Sequence, residues 1–135
     1  MIKGIYGINI AVKDLEEATK KYESVFGIKS VRFKDEDFAF PGLSGSRFDI
    51  NGFFINLVSY KSEKTSIAHF LNTKGEGLFL ITAEVDDIER DVEELKSKGV
   101  RFALKDVVSG DFGKVTFVHP KSMHGVQIEI YEPKK

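Results

Sequence analysis

The chain has no cysteine and no tryptophan among its 135 residues, and its charges nearly cancel, with 20 Lys and Arg against 21 Asp and Glu. Without cysteine there are no disulfides, no zinc–thiolate sites and no thiol nucleophile, and the redox compartment is left open. No run of about 18 apolar residues is present, so no membrane-spanning helix is expected. Met1-Ile2-Lys3-Gly4 leads directly into a strand-like pattern rather than into the basic and apolar regions of a signal peptide. A cytoplasmic protein is therefore the default expectation. A net charge of −1 offers no general attraction to phosphate backbones or anionic lipid, so neither nucleic acid nor membrane is expected as a partner. In place of these features stand 12 phenylalanines, more than the core of so short a chain requires, some of which are expected at a cavity or a homodimer interface. A chain of this length buries roughly two-thirds of its unfolded surface and fits one domain.

Hydrophobic periodicity divides the chain into two similar runs. Ile8, Ile10 and Val12 alternate with smaller residues, the period-two pattern of a first strand over 5–12. Asp14 with Glu17 three places on predicts a helix start. Leu15, Ala18, Tyr22, Val25 and Phe26 are expected on its buried face before Gly27 ends it. Three strands are then predicted near 28–33, 47–50 and 53–60, with Asn51-Gly52 as a tight hairpin turn. A short connecting helix is expected near 66–71. The order then repeats, with a strand at 78–85, a helix opened by Asp86 or Asp87, and strands at 100–104, 114–118 and 126–131.

A single offset of 73 tests the repeat. It pairs Val12 with Val85, Asp14 with Asp87, Leu15 with Ile88, Glu16 with Glu89, Gly52 with Gly125 and Ile55 with Ile128. The fold class expected is α+β, with two tandem βαβββ modules (1–60 and 77–135) joined by a linker with a short helix (61–76), together forming one eight-stranded curved sheet. On the concave face, the first and last strands of each module would supply Gly7 with Leu80 and Asn56 with Glu129 as pseudo-symmetry mates.

The segments Ile8-Asn9-Ile10-Ala11-Val12-Lys13-Asp14-Leu15-Glu16, Gly75-Glu76-Gly77-Leu78 with Ala83-Glu84-Val85-Asp86-Asp87-Ile88, and His119-Pro120-Lys121 with His124-Gly125-Val126-Gln127-Ile128-Glu129-Ile130 resemble the vicinal oxygen chelate superfamily. That superfamily includes glyoxalase I, methylmalonyl-CoA epimerase, extradiol dioxygenases and bleomycin-resistance proteins. The resemblance covers nearly the whole chain and implies the half-barrel fold and homodimerisation. In metal-dependent members, a divalent ion is held by side chains at the four positions occupied here by Gly7, Asn56, Leu80 and Glu129. Only Glu129 is a full ligand and Asn56 a partial one, too few for the four- or six-coordinate sites divalent ions prefer, so no metal and no other cofactor is expected. His69, His119 and His124 read as loop or surface residues.

Glu129 alternates with Gln127 and Tyr131 on the face expected to be concave. It is either a hydrogen-bond acceptor for Asn56, Tyr131 or Arg47, or a general base whose pKa is raised by an apolar pocket. Asn9, Asn56, Thr82 and Gln127 share that face and suit a small polar ligand or, equally, a solvated sheet. Phe40 and Arg47 lie in a segment, 33–48, whose aromatics read as core filler or as a ligand platform. Lys61, Lys64 and Lys74 read as a solvated face. Two functions follow from the resemblance. The favoured one is metal-free binding of a small organic ligand at Asn9, Asn56, Thr82, Gln127, Tyr131, Phe40 and Arg47, because the scaffold is kept while the metal ligands are lost. The other is an isomerase or lyase of the methylmalonyl-CoA epimerase or glyoxalase type, with Glu129 as the catalytic proton-transfer residue.

Overall fold

Asp14 and Asp87 start the two long helices in the same way. In α1 (Leu15–Phe26) the Asp14 carboxylate accepts from the backbone N–H of Glu17 at 3.1 Å, and in α3 (Ile88–Ser97) Asp87 accepts from that of Arg90 at 3.2 Å. Each cap satisfies a first-turn donor that the helix itself leaves unpaired. The computed structural model describes residues 1–135. α1 buries Leu15 and Thr19 and packs Ala18, Tyr22 and Phe26 against the sheet. Val25, expected inward, is instead 79% exposed. It lies at the rim of the apolar stripe, and Thr19 takes the central place by bonding its hydroxyl to that of buried Ser46 at 2.8 Å.

The strands are β1 (Ile2–Ala11), β2 (Val31–Arg32), β3 (Leu43–Ile50), β4 (Phe53–Tyr60), β5 (Gly77–Val85), β6 (Val108–Gly110), β7 (Gly113–Val118) and β8 (Gln127–Pro133), with α2 (Ser66–Lys74) between β4 and β5. They form one sheet in the order β2-β3-β4-β1-β5-β8-β7-β6. Each module is a βαβββ unit, and the modules join where β1 and β5 pair antiparallel at the middle of the sheet. Asn51 and Gly52 both have positive φ (54° and 94°) and close the β3–β4 hairpin, as the Asn-Gly pair requires. α1 covers the outer face of module one through Val12, Leu15, Phe48 and Leu57. α3 covers that of module two through Val85, Ile88, Val92 and Ile130.

The offset of 73 holds in the hydrogen-bonded register. In the parallel β1–β4 pair, Gly7, Ile8, Asn9, Ile10 and Ala11 face Phe54, Ile55, Asn56, Leu57 and Val58. In the parallel β5–β8 pair, Leu80, Ile81, Thr82, Ala83 and Glu84 face Gln127, Ile128, Glu129, Ile130 and Tyr131. Every pair maps onto its counterpart by the same shift.

The expected strand at 100–104 is corrected. Only Phe102 makes a bridge there, to Val118, and the strand that pairs β7 is β6, further on. The two pieces share one edge of β7. Val100 and Phe102 read as strand residues because they pack against the core under α3, not because the segment runs along the sheet. The strand expected at 28–33 also shrinks to β2, since Ile28 is drawn into the core under α1. β3 begins earlier than expected, at Leu43, because Gly45 and buried Ser46 pair with Val58 and Leu57 where Leu43-Ser44-Gly45-Ser46 reads as a loop.

Candidate active site

With α1 and α3 on the outer face, the alternate residues of the central strands turn to the inner face and, together with Ser66 and Ile67 at the start of α2, line a cavity of about 730 Å³. Asn9, Asn56, Thr82, Gln127, Glu129, Tyr131, Phe40 and Arg47 all border it, contributed by β1, β3, β4, β5, β8 and the loop before β3. Two symmetry-related rungs cross its floor. In module one the Asn56 amide nitrogen donates to Asn9 Oδ1 at 3.0 Å, and in module two the Thr82 hydroxyl donates to Glu129 Oε1 at 2.7 Å. The partners expected for Glu129, namely Asn56, Tyr131 and Arg47, are therefore replaced by Thr82, because parallel pairing of β5 and β8 sets Thr82 directly beside it.

Burial pushes the Glu129 carboxyl up to about 7, against the downward pull of the Thr82 hydrogen bond. Tyr131 is pushed up to about 12, by burial first and then by neighbouring Tyr6, with Arg47 acting in the opposite direction. Its hydroxyl donates to the Phe112 carbonyl at 2.7 Å. The cavity wall thus offers a carboxyl that exchanges its proton near neutrality and a phenol that stays protonated.

Two aromatic residues of the wall carry no signal in the local sequence pattern. Besides an irregularity at Lys3 near the start of β1, β1 and β5 pair with one extra residue on β1 at Tyr6 and one on β5 at Phe79. Each bulge turns its aromatic ring to the cavity. Tyr6 stacks on Phe54 at 4.7 Å, and Phe79 meets Phe70 edge-on at 5.2 Å. The two are 73 residues apart, so paired aromatics at the offset are the signal that could have found them. Leu80, Val115 and Phe117 form the apolar side of the cavity, with Phe112 and Leu104 against them.

A divalent ion does not fit the four positions implied by the resemblance. Gly7 does not reach the cavity. It sits beside the Tyr6 bulge, where even a Cβ would overlap the Phe54 carbonyl oxygen. Leu80, 3% exposed, is packed in the apolar cluster. Asn56, its amide nitrogen bonded to Asn9, offers one neutral oxygen, Oδ1. Glu129 remains as a single carboxylate, and no histidine lines the cavity. His119 instead caps the turn at Pro120–Met123 by accepting from Lys121 N–H. A carboxylate trio elsewhere, Asp87, Glu89 and Glu132, is taken up by the cap of α3, by Lys114 and by the Ile88 N–H respectively. Of the lysines, Lys61 pairs with Asp35 and Lys74 lies over Phe70, while Lys64 stands on the cavity lining.

Residues 4–130 match the model of the Glyoxalase/Bleomycin resistance protein/Dioxygenase superfamily, and the chain belongs to that family. Within it, the similar proteins include epimerases. The mitochondrial methylmalonyl-CoA epimerase of Homo sapiens is 33% identical over 91% of this chain and 70% of that protein. The crystal structure of methylmalonyl-CoA epimerase from Mycobacterium tuberculosis superposes with a TM-score of 0.88 at 29% identity, covering 99% of this chain and 90% of that one. A methylmalonyl-CoA epimerase in complex with methylmalonyl-CoA and NH4+ has a TM-score of 0.84 at 25% identity, covering 98% and 96%. No helix of the chain is long and apolar enough to cross a membrane.

Proposed function

We propose that this chain is a proton-transfer enzyme of the epimerase type, which removes and returns a proton on the carbon beside an acyl thioester carbonyl, with Glu129 as the acid–base group and no divalent ion. The observation that carries the reading is the Glu129 carboxyl, fixed by Thr82 in the cavity wall and poised at about 7, where base and conjugate acid are both populated at neutral pH. The epimerase relatives support the same chemistry and favour it over binding alone.

In the forward step a Glu129 oxygen takes the α-proton, and the C–H electron pair moves to the carbonyl oxygen as an enolate. Amide N–H groups of Asn9 and Gln127, both on the lining, are the donors available to that oxygen. Exchange of the α-proton with solvent needs Glu129 alone. Inversion needs, in addition, a proton donor on the opposite face of the enolate.

The test is NMR of methylmalonyl-CoA in D2O with the wild type and with Glu129→Gln. Deuterium entering the α-position with the wild type and not with the variant is the expected result; no exchange with the wild type beyond the solvent background overturns the reading. The apolar replacements at Gly7 and Leu80 favour a second reading, in which the cavity holds a small organic ligand without turning it over. That reading requires saturable binding together with an exchange rate at background.

A further inference from the structure

Two cations on the cavity wall, Arg47 and Lys64, take part in no ion pair, and of the two only Arg47 is partly buried, Lys64 being exposed to solvent. Arg47 buries its Nε without a hydrogen-bond partner. Its guanidinium lies over three rings, 4.5 Å from the centroid of Phe54, 5.1 Å from Phe33 and 5.9 Å from Tyr6. Such stacking favours a planar cation, yet it offers nothing to the in-plane N–H groups. A buried donor left unmet is costly, and more so when it is charged. The carboxylates on the lining do not meet it: Asp37 accepts from the Lys34 N–H at 2.8 Å, and Glu129 is bonded to Thr82. Directly across the β3–β4 ladder from Arg47 stands Asn56, whose Oδ1 is also buried and unpaired. The amide oxygen calls for a donor, which a carboxylate does not supply, so the demand that an anion answers is that of Arg47 alone, a cation preset for bidentate contact with a planar anion.

We propose that Arg47 is the anion anchor of the cavity, holding a carboxylate of the ligand, so that the site selects carboxylated acyl thioesters over neutral ones. The proposal rests on the reading of the cavity as an acyl-thioester site, and names the group that distinguishes one acyl chain from another. Aromatic packing connects the anchor to the proton-transfer residue: Arg47 lies on Phe54, Phe54 stacks on Tyr6, and Tyr6 meets Tyr131 edge-on at 4.9 Å, two residues along β8 from Glu129. A ligand lying along that wall places its carboxylate at the module-one side and its α-carbon toward module two. A cation at the anchor also supplies charge that a divalent ion would otherwise bring to the anionic substrate.

The experiment compares binding of methylmalonyl-CoA with that of propionyl-CoA, which lacks the carboxylate, by calorimetry on the wild-type chain, Arg47→Gln, Arg47→Lys and Glu129→Gln. The wild type is expected to prefer methylmalonyl-CoA by roughly 10- to 100-fold, the range of a charge-assisted hydrogen bond. Arg47→Gln is expected to bring the ratio of the two affinities to within about twofold of one, and Arg47→Lys to keep part of the preference. Glu129→Gln is expected to keep the preference while losing proton exchange. No wild-type preference, which needs no variant to measure, or a preference that survives in Arg47→Gln, overturns the anchor. An Arg47-dependent preference with no α-proton exchange by the wild type leaves the anchor standing and removes the epimerase reading instead.

Discussion

The two modules share a backbone and differ in what they present to the cavity. Module one contributes an Asn9–Asn56 rung, with Arg47 across the ladder from Asn56. Module two contributes a Thr82–Glu129 rung, with Phe117 across the ladder from Glu129. A cation among aromatic rings therefore faces a carboxyl among apolar side chains. The register that relates the modules is set by main-chain pairing and by helices capped alike at Asp14 and Asp87, which leaves inward side chains free to diverge. Duplication has supplied two matching walls, and substitution has made one suited to hold an anion and the other to move a proton.

The largest effect expected from breaking this asymmetry is on chemistry. Glu129→Gln is expected to lower the α-proton exchange rate by about 10²–10⁴-fold, while Asn56→Ala, at the mate position, lowers it by less than about tenfold; NMR exchange rates on both variants check the contrast. Next comes the scaffold. Gly7→Ala is expected to destabilise the fold by about 2–4 kcal/mol in chemical denaturation, since its Cβ meets the Phe54 carbonyl in a central strand pair that cannot shift cheaply. Its mate Leu80 has the room that Gly7 lacks, and truncating it to Ala costs about 2–4 kcal/mol by the opposite mechanism, an unfilled cavity.

The pH dependence of stability sharpens the comparison further. The Glu129 carboxyl holds its proton in the folded chain up to about 7, whereas in the unfolded chain it ionises near its usual 4.5. Between those values the folded state binds more protons, so this group makes stability fall as pH rises through the window, and the deficit persists above it. Glu129→Gln is therefore expected to melt higher than the wild type at pH 8, by about a few degrees, with the gap closing by pH 4. Thermal scans across that range check it. Thr82→Val removes the one interaction that lowers the Glu129 pKa, so the pH midpoint of proton exchange is expected to move upward, while Asn9→Ala leaves it in place. The smallest effect should also be the most symmetrical: Asp14→Ala and Asp87→Ala each remove one N-cap, costing about 1 kcal/mol in either module.

Much of the fold is legible in the order of residues alone. The helix starts, the Asn51-Gly52 turn and the βαβββ order follow from local patterns whose physics acts over a few residues. The offset of 73 extends them to a sheet register that holds pair by pair. All eight side chains that read as ligand-binding or catalytic reach one cavity, seven of them because period-two alternation decides which face a strand residue takes, and Phe40 from the loop before β3. Sequence and structure part where alternation breaks or pairing is non-local. Counting residues puts Gly7 on the concave face, but the extra residue at Tyr6 turns it away. Val100 and Phe102 suggest a strand at 100–104, yet they are apolar for the sake of α3.

The sequence by itself determined the duplicated scaffold and the scarcity of metal ligands within it, because caps, turns and hydrophobic periods are local and additive, and a ligand count needs only the identity of four residues. Only the tertiary structure decided that Thr82 holds Glu129, that Tyr6 and Phe79 enter the cavity, and that Arg47 is left unpaired among rings. Those outcomes depend on which strands meet and at what register, and distant partners such as Thr82 and Glu129, at a separation of 47, leave no mark on either local stretch of chain.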